Sequence, residues 1–426
     1  MNSNDRFRQV LKHKGTGKTM SKHMDNDDLM FVANHWLSNE IPLSRKATLL
    51  TAWIMLPTTT EEAEALENLK KNYKTALPKE LHYFFNTPKN KIEDTLIQLL
   101  NQTSLSREEL NEFLTAIFTD NIADYYAATL FEGLRLKEET FEENTTVYDF
   151  FAERTLRKSI NIPLLVDLAT PYDGFNRSYF LQPFLAALLG SVGIPTLLHG
   201  VKDISPKNGM NTHKLFLTTQ KNPLQLIDNV CNQLTDPTIG WGYLDQSVFC
   251  PDLHQLIQTR IDMVKRPVLA TIEKWLCPIY AKHNVCVTGF THPPYKQKTI
   301  DLVRHGQKYN QLLLVRGVEG STLLPFDRRA PFITMQKDNE PVYDFMTPDI
   351  VGVTPQELID QNPNDSLGIG IKALKGELVN YSNYLKYQAL AIGTVLNKDI
   401  EQLNTAITES IETGNAFQHW ERGCRH

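Results

Sequence analysis

Long hydrophobic runs are missing from this chain of 426 residues. No stretch approaches the roughly 18 uninterrupted apolar residues of a membrane helix, so no membrane span is expected. The opening segment, Met1 to Gly15, has no apolar centre of the kind a secretory signal needs, and the expected location is the cytoplasm. Cysteine is scarce and scattered: Cys231, Cys250, Cys277, Cys286 and Cys424 form neither a C-x-x-C pair nor a metal-ligand spacing. Free thiols in a reducing compartment follow from that pattern. Internal repeats and low-complexity segments are absent too. With 41% hydrophobic and 22% charged residues, the composition is that of an ordinary globular protein, long enough for two or three domains.

One apparent motif is incomplete. Gly15–Thr19 resembles the end of a nucleotide P-loop, which needs a further glycine five residues before Gly17. Lys12 stands there, and no apolar strand precedes it, so the backbone nest for phosphates would not form.

The net charge of −5 is unevenly spread. Residues 76–150 carry 14 acidic and 6 basic side chains, a net −8 that leaves +3 for the rest. Before Asp25, by contrast, Arg6, Arg8, Lys12, Lys14, Lys18 and Lys22 face only Asp5. Such a basic arm either touches phosphates or forms a solvated face.

Periodicity divides the chain. Apolar residues at helical spacing between Leu29 and Leu37, a second run after Ser44 stopped by Pro57, and a Thr59/Glu62 capping box predict helices in the first 75 residues. Residues 76–150 continue as acidic helices and read as an insertion. From about residue 155, short apolar runs (160–169, 194–200, 284–290, 310–317) alternate with helical segments, and two amphipathic helices close the chain. That alternation predicts a parallel α/β sheet. The expected domains are 1–75, helical; 76–150, the acidic helical insertion; and 151–426, α/β.

Two loops stand out, Asp167–Ser178 and Leu197–Gly209. Each follows an apolar run, so both should lie at the carboxyl edge of the sheet, where ligands of open α/β sheets bind. Glycine lets backbone amides approach an anion, and Arg177, Lys202 and Lys207 carry charge to neutralise it. A plain strand-to-helix turn would use similar residues. His254 and His292 lack a partner at a diagnostic spacing, and Trp241, Tyr243 and Phe249 read as packing residues.

The order of these blocks resembles the anthranilate phosphoribosyltransferase (TrpD) family of glycosyltransferase family 3. It looks closest to the TrpD-like paralogues described as DNA-binding proteins. The resemblance runs through about residues 5–75 and 155–420. The segment Asn34–Leu56 resembles the family's first helices. Leu197–Gly209 sits where the family has KHGNRSxSSxSG, and Tyr243–Ile272 matches the block with FAPxxHPAM and its following arginines. Leu312–Leu323 falls at a strand followed by HGxDGLDE, and the segment from Ser410 to Phe417 resembles the closing helix. The resemblance implies a helical domain plus an α/β domain with a mostly parallel sheet, assembled as a homodimer.

Carried over residue by residue, the family's anion site maps to Asp173, Gly174, Asn176, Arg177, His199, Gly200, Lys202 and Lys207. Arg260 aligns with the arginine that contacts the acceptor's carboxylate; it would bind such a group or pair structurally with Asp262. The site is thinned. GTGGDG appears as Ala169-Thr170-Pro171-Tyr172-Asp173-Gly174, which removes a backbone donor and crowds the diphosphate's place. The Asp-Glu pair that holds magnesium in the family is Thr322-Leu323. Leucine offers no oxygen to a hard cation, so no cofactor is expected. Three function classes follow: a nucleic-acid binder (DNA or RNA) using the basic arm, a phosphoribosyl or other glycosyltransferase acting on a phosphorylated small molecule, and a metal-independent phosphorylase.

Overall fold

The computed structural model describes residues 2–16, 20–358 and 362–426, and it divides into two units. Lys18 and most of the Gly15–Thr19 motif lie outside the described residues.

The first unit joins Met1–Glu153 to the distant segment Gln255–Ile272. Its centre is the helix Leu43–Met55, buried along nearly its whole length. Against it pack Asp124–Lys137, Ser3–Lys14 and Ile257–Met263. Helices from 1–75 and from 76–150 therefore share one body. Part of the acidity of 76–150 is used inside it: Glu143 accepts from Lys137 and from the amides of Leu105 and Thr140, and Glu132 pairs with Arg135. The Thr59/Glu62 capping box forms as predicted. Ser44 is not a cap; Pro42 precedes the first turn, and the Ser44 hydroxyl donates to Asp262.

The basic "arm" is a folded helix rather than an extended strand of charge. Ser3–Lys14 buries Phe7, Val10 and Leu11. Arg6 lies over the ring of Phe31 and donates to the carbonyl of Asp27. Lys14 is fully buried, its ammonium 2.9 Å from Glu62 and 2.8 Å from the carbonyl of Pro57. It cannot reach a phosphate. Arg8 is half-buried, while Lys12 and Lys22 are exposed.

The second unit, Arg154–His254 with Glu273–His426, holds all the strands among the described residues. These are β1 (Lys158–Ser159), β2 (Leu164–Ala169), β3 (Thr196–Gly200), β4 (Trp241–Asp245), β5 (Ile279–Tyr280), β6 (His283–Gly289), β7 (Gln311–Val315), β8 (Ala330–Gln336) and β9 (Val342–Met346). β1 and β5 pair as a small parallel sheet; the others form one sheet of order β4-β3-β2-β6-β7-β8-β9. β4 through β7 in that order are parallel, and β8 and β9 turn back antiparallel. The fold is thus a helical unit plus an α/β unit with a mostly parallel central sheet.

Burial explains the strands' composition. β2, β3, β6 and β7 are covered on both faces and read as continuous apolar runs. On one face lie Gln182–Ser191, Val379–Val395 and the last helix, Asn415–Arg425. That last helix comes close because residue 423 is glycine: a Cβ there would stand 2.4 Å from the ring of Trp241. Trp420 stacks on Trp241 at 5.3 Å, and Trp241 donates to the carbonyl of His419. All five cysteines are buried in this unit, and burial raises the pKa of every one of their thiols. Among the described residues no helix is long and apolar enough to cross a membrane.

Replacing Lys14 by alanine should destabilise the first unit by about 3 kcal/mol, because the Glu62 carboxylate stays buried without its cation. Urea unfolding followed by far-UV circular dichroism measures this, and Lys12→Ala, on the exposed side of the same helix, should change stability by less than about 0.5 kcal/mol.

Candidate functional site

Because β2 and β3 are parallel neighbours, the loops after them leave the sheet at the same edge. There they pair with each other. Phe175 and Met210 exchange two backbone hydrogen bonds of 2.8 and 2.9 Å, and the amide of Gly209 donates to the Asp173 carbonyl at 2.8 Å. The approach is so close that a Cβ on Gly174 would meet the Met210 carbonyl at 2.4 Å, and one on Gly209 the Phe175 carbonyl at 2.4 Å. Gly174 also has φ +74°, open to glycine at little cost.

The paired loops present an anion cradle. Three successive amides, of Asn176, Arg177 and Ser178, point at one place, and the Lys207 ammonium reaches it from the second loop. The occupant is the chain's own Glu319. Its carboxylate accepts from the three amides at 3.2, 3.0 and 3.1 Å and from Lys207 at 3.0 Å, and its side chain is 3% exposed. Lys207 is held further by the carbonyls of Gly174 and Glu319.

Glu319 is placed there by the turn after β7. Its backbone is left-handed (φ +52°, ψ +20°), uncommon for a residue with a Cβ. The turn folds tightly on the end of β6 because residues 289 and 317 are glycines; a Cβ on either would lie 1.8 Å from the carbonyl oxygen of Ser321. Burial by itself would raise the carboxyl's pKa, but Lys207 and the loop amides outweigh it and hold the group below its ordinary range.

The remaining predicted anion ligands are dispersed. Asn176 and Arg177 are exposed and contribute amides; the Asn176 side chain donates to the Lys207 carbonyl. Asp173 is buried and Lys202 exposed. Gly200 ends β3, where a Cβ would touch the Tyr243 hydroxyl at 3.5 Å. His199 is a core residue, 1% exposed. One ring nitrogen meets the Tyr172 hydroxyl and the other lies 2.9 Å from Asp167, which also accepts from Tyr309 at 2.6 Å. Tyr172 fills the loop position at which the resemblance expects a glycine.

Thr322 and Leu323 follow the turn inward, 4% and 0% exposed; Leu323 belongs to the main core. Arg260, in the first unit, is buried on Ile257–Met263. Asp262 accepts from Ser44, Arg45 and Gln258. The sequence reading also passed over a second imidazole–carboxylate pair: His213 lies 2.7 Å from Asp245, which accepts from Tyr243 and Ser247. Burial lowers the pKa of neighbouring His254.

Comparison with known proteins places this architecture. Residues 93–154 match the family model described as "Glycosyl transferase family, helical bundle domain". The match lies within the segment whose acidic composition suggests an insertion. An uncharacterised protein of Aquifex aeolicus (strain VF5) is 26% identical over 295 residues, 67% of this chain and 86% of its own length. An anthranilate phosphoribosyltransferase of Methanopyrus kandleri is 22% identical over 345 residues, 77% of this chain and 97% of its own. Among solved structures, the anthranilate phosphoribosyltransferase of Saccharomyces cerevisiae in complex with PRPP and Mg superposes with a TM-score of 0.64 at 13% identity, covering 80% of this chain and 98% of that one.

The chain's fold is that of the anthranilate phosphoribosyltransferase structures, part of its helical unit matches the bundle domain of a glycosyl transferase family, and its sequence is similar to anthranilate phosphoribosyltransferases through most of its length.

The cradle carries a pH signature. A carboxyl whose folded pKa is depressed adds stability above its unfolded pKa of about 4.3, and that stability is lost as pH falls through the folded value. Glu319→Gln should therefore lower stability at neutral pH and flatten the acid limb, with wild type and variant converging at the lowest pH. Thermal melts between pH 7 and pH 3 measure it.

Proposed function

We propose that the chain is a TrpD-like protein with a degenerate donor site, a cytoplasmic homodimer that binds nucleic acid without sequence preference instead of transferring a phosphoribosyl group. The observation that carries the reading is the filled site. Tyr172 packs where the diphosphate's loop would need glycine, and buried Thr322 and Leu323 stand where the family has its acidic pair.

The residues present do not fit the family's magnesium. At the aligned pair, Leu323 has no oxygen and is fully buried, and the Thr322 hydroxyl is enclosed. The carboxylate three residues earlier is committed to Lys207. Magnesium takes carboxylate and substrate oxygens together, and without it the leaving diphosphate has no strong charge stabiliser.

Support for nucleic-acid binding comes from the likeness to DNA-binding paralogues and from the cations left exposed on and after the first helix. With Lys14 buried, the cations left on that surface among the described residues are Lys12, Lys22 and the half-buried Arg6 and Arg8, presented twice in a dimer.

Two measurements test the proposal. Calorimetry should find weak binding of phosphoribosyl pyrophosphate that magnesium does not strengthen; tight magnesium-dependent binding with turnover of anthranilate would establish phosphoribosyl transfer instead. Duplex DNA binding should be sequence-tolerant and fall steeply with salt, each neutralised phosphate contributing ~0.9 to the slope. Charge reversal at Arg8, Lys12 and Lys22 should abolish it while circular dichroism stays unchanged. No binding by the wild type at low salt removes the nucleic-acid reading.

A further inference from the structure

One edge of the main sheet carries two large aromatic rings left half in water. β9 is the last strand, with β8 on one side and, among the described residues, no strand on the other. Tyr343 and Phe345 stand two residues apart on it, 58% and 50% exposed. They lie opposite Ile333 and Pro331 of β8, so both rings occupy the same face. Two such rings side by side in solvent mark an interaction surface.

Each ring has a cation over it. The Lys296 ammonium stands 4.9 Å from the centre of Tyr343, and the Arg329 guanidinium 3.9 Å from that of Phe345. Lys296 comes from the first turn of the helix Pro293–Gly306, where Tyr295 is also exposed and Lys298 lies 5.8 Å from its ring centre. The acids nearby are placed elsewhere. Asp344 alternates to the opposite face of β9, in register with Phe332, and its carboxylate accepts from the Phe345 amide at 2.7 Å. Asp327 pairs with Arg328 at 3.0 Å, Glu340 lies 3.5 Å from Arg304, and Asp301 accepts from Gln297. Asp338 is exposed between β8 and β9. None of these pairs takes Lys296 or Arg329.

Rings flanked by cations have the chemistry of a base-stacking surface: aromatic faces and guanidinium planes take bases, and the charges meet phosphates. A protein surface covering the rings would have to bury both charges with them. The spacing chooses between nucleic acids. Alternate residues of a strand stand about 7 Å apart, twice the ~3.4 Å between neighbouring bases of a duplex strand. Duplex bases also show only their edges, in the grooves. A splayed single strand can offer one base to each ring, and a duplex cannot.

We propose that this rim binds single-stranded nucleic acid, with a base stacked against each of Tyr343 and Phe345 and phosphates met by Lys296 and Arg329. The inference rests on the reading of the chain as a nucleic-acid binder and adds a second surface to it, in the α/β unit.

The test uses the full-length chain with two labelled probes, an oligothymidylate and a duplex, by fluorescence anisotropy at low salt. Tyr343→Ala and Phe345→Ala should each weaken oligothymidylate binding ~5-fold or more and leave duplex binding unchanged. Lys296→Ala with Arg329→Ala should lower the salt slope for oligothymidylate by ~1.4, at ~0.7 for each phosphate no longer neutralised. Charge reversal at Arg8, Lys12 and Lys22 should abolish duplex binding and leave an oligothymidylate complex that depends on the rings. Tyr343→Leu with Phe345→Leu keeps the surface apolar without a stacking face and should weaken binding as alanine does. That pair decides the outcome if the alanine variants lose the wild-type circular dichroism. Unchanged oligothymidylate affinity in folded ring variants overturns the inference. So does a wild type that binds no single strand, or whose single-strand binding disappears with the first-helix charges. If the ring variants change the sedimentation of the protein while single-strand affinity holds, β9 joins two copies instead and the inference falls. Duplex binding by the wild type is read in the same assay, so the nucleic-acid reading stands or falls separately.

Discussion

The parallel pairing of β2 with β3 on one side and β6 on the other is the constraint from which the functional edge follows. Parallel strands end together, so the loops after β2 and β3 and the turn after β7 are delivered to one rim without any loop having to search for it. Once there, two glycines, Gly174 and Gly209, permit backbone contact between loops that side chains would hold apart. A third element, the turn bearing Glu319, then closes on both. Each step depends on the one before: without the shared edge the glycines would have nothing to approach, and without the paired loops Glu319 would face no amides.

This sequence of dependence explains how a site can change its chemistry while keeping its frame. The amides of residues 176–178 are backbone groups, present whatever the side chains are, and the loop pairing holds their direction. What differs from the expected phosphoribosyltransferase pattern is side-chain content: tyrosine for glycine at 172, and threonine and leucine for the acidic pair at 322 and 323. Backbone donors persist, and Glu319 accepts from them. The core behind the rim shows the same economy, with His199 drawn into a buried chain of Tyr172, Asp167 and Tyr309.

Much of the frame was legible in sequence because it rests on local signals. Continuous apolar runs marked β2, β3, β6 and β7, and a capping box marked the helix at Thr60. Strand β4 was missed because Trp241-Gly-Tyr-Leu-Asp is short, contains a glycine and runs directly into a helix. The β8–β9 hairpin was missed because Pro331 and exposed Asp344 break the strand pattern. The helical unit was misjudged for a different reason: acidic composition reports surface charge in general, whereas Glu132 and Glu143 spend theirs in internal pairs. The role of Glu319 was invisible for the most basic reason. Its partners lie more than a hundred residues away in the chain, and no spacing rule joins them.

The cysteines carry a consequence of their own. All five sit in the α/β unit, buried and with thiols pushed above their ordinary pKa, and the helical unit has none. In the native state they are shielded from oxidants and alkylating reagents by both exclusion and protonation. Thiol reactivity in this protein is therefore a clock that starts only when the sheet-bearing unit opens. Set beside a spectroscopic signal from the helices, it separates the lifetimes of the two units within one unmodified chain.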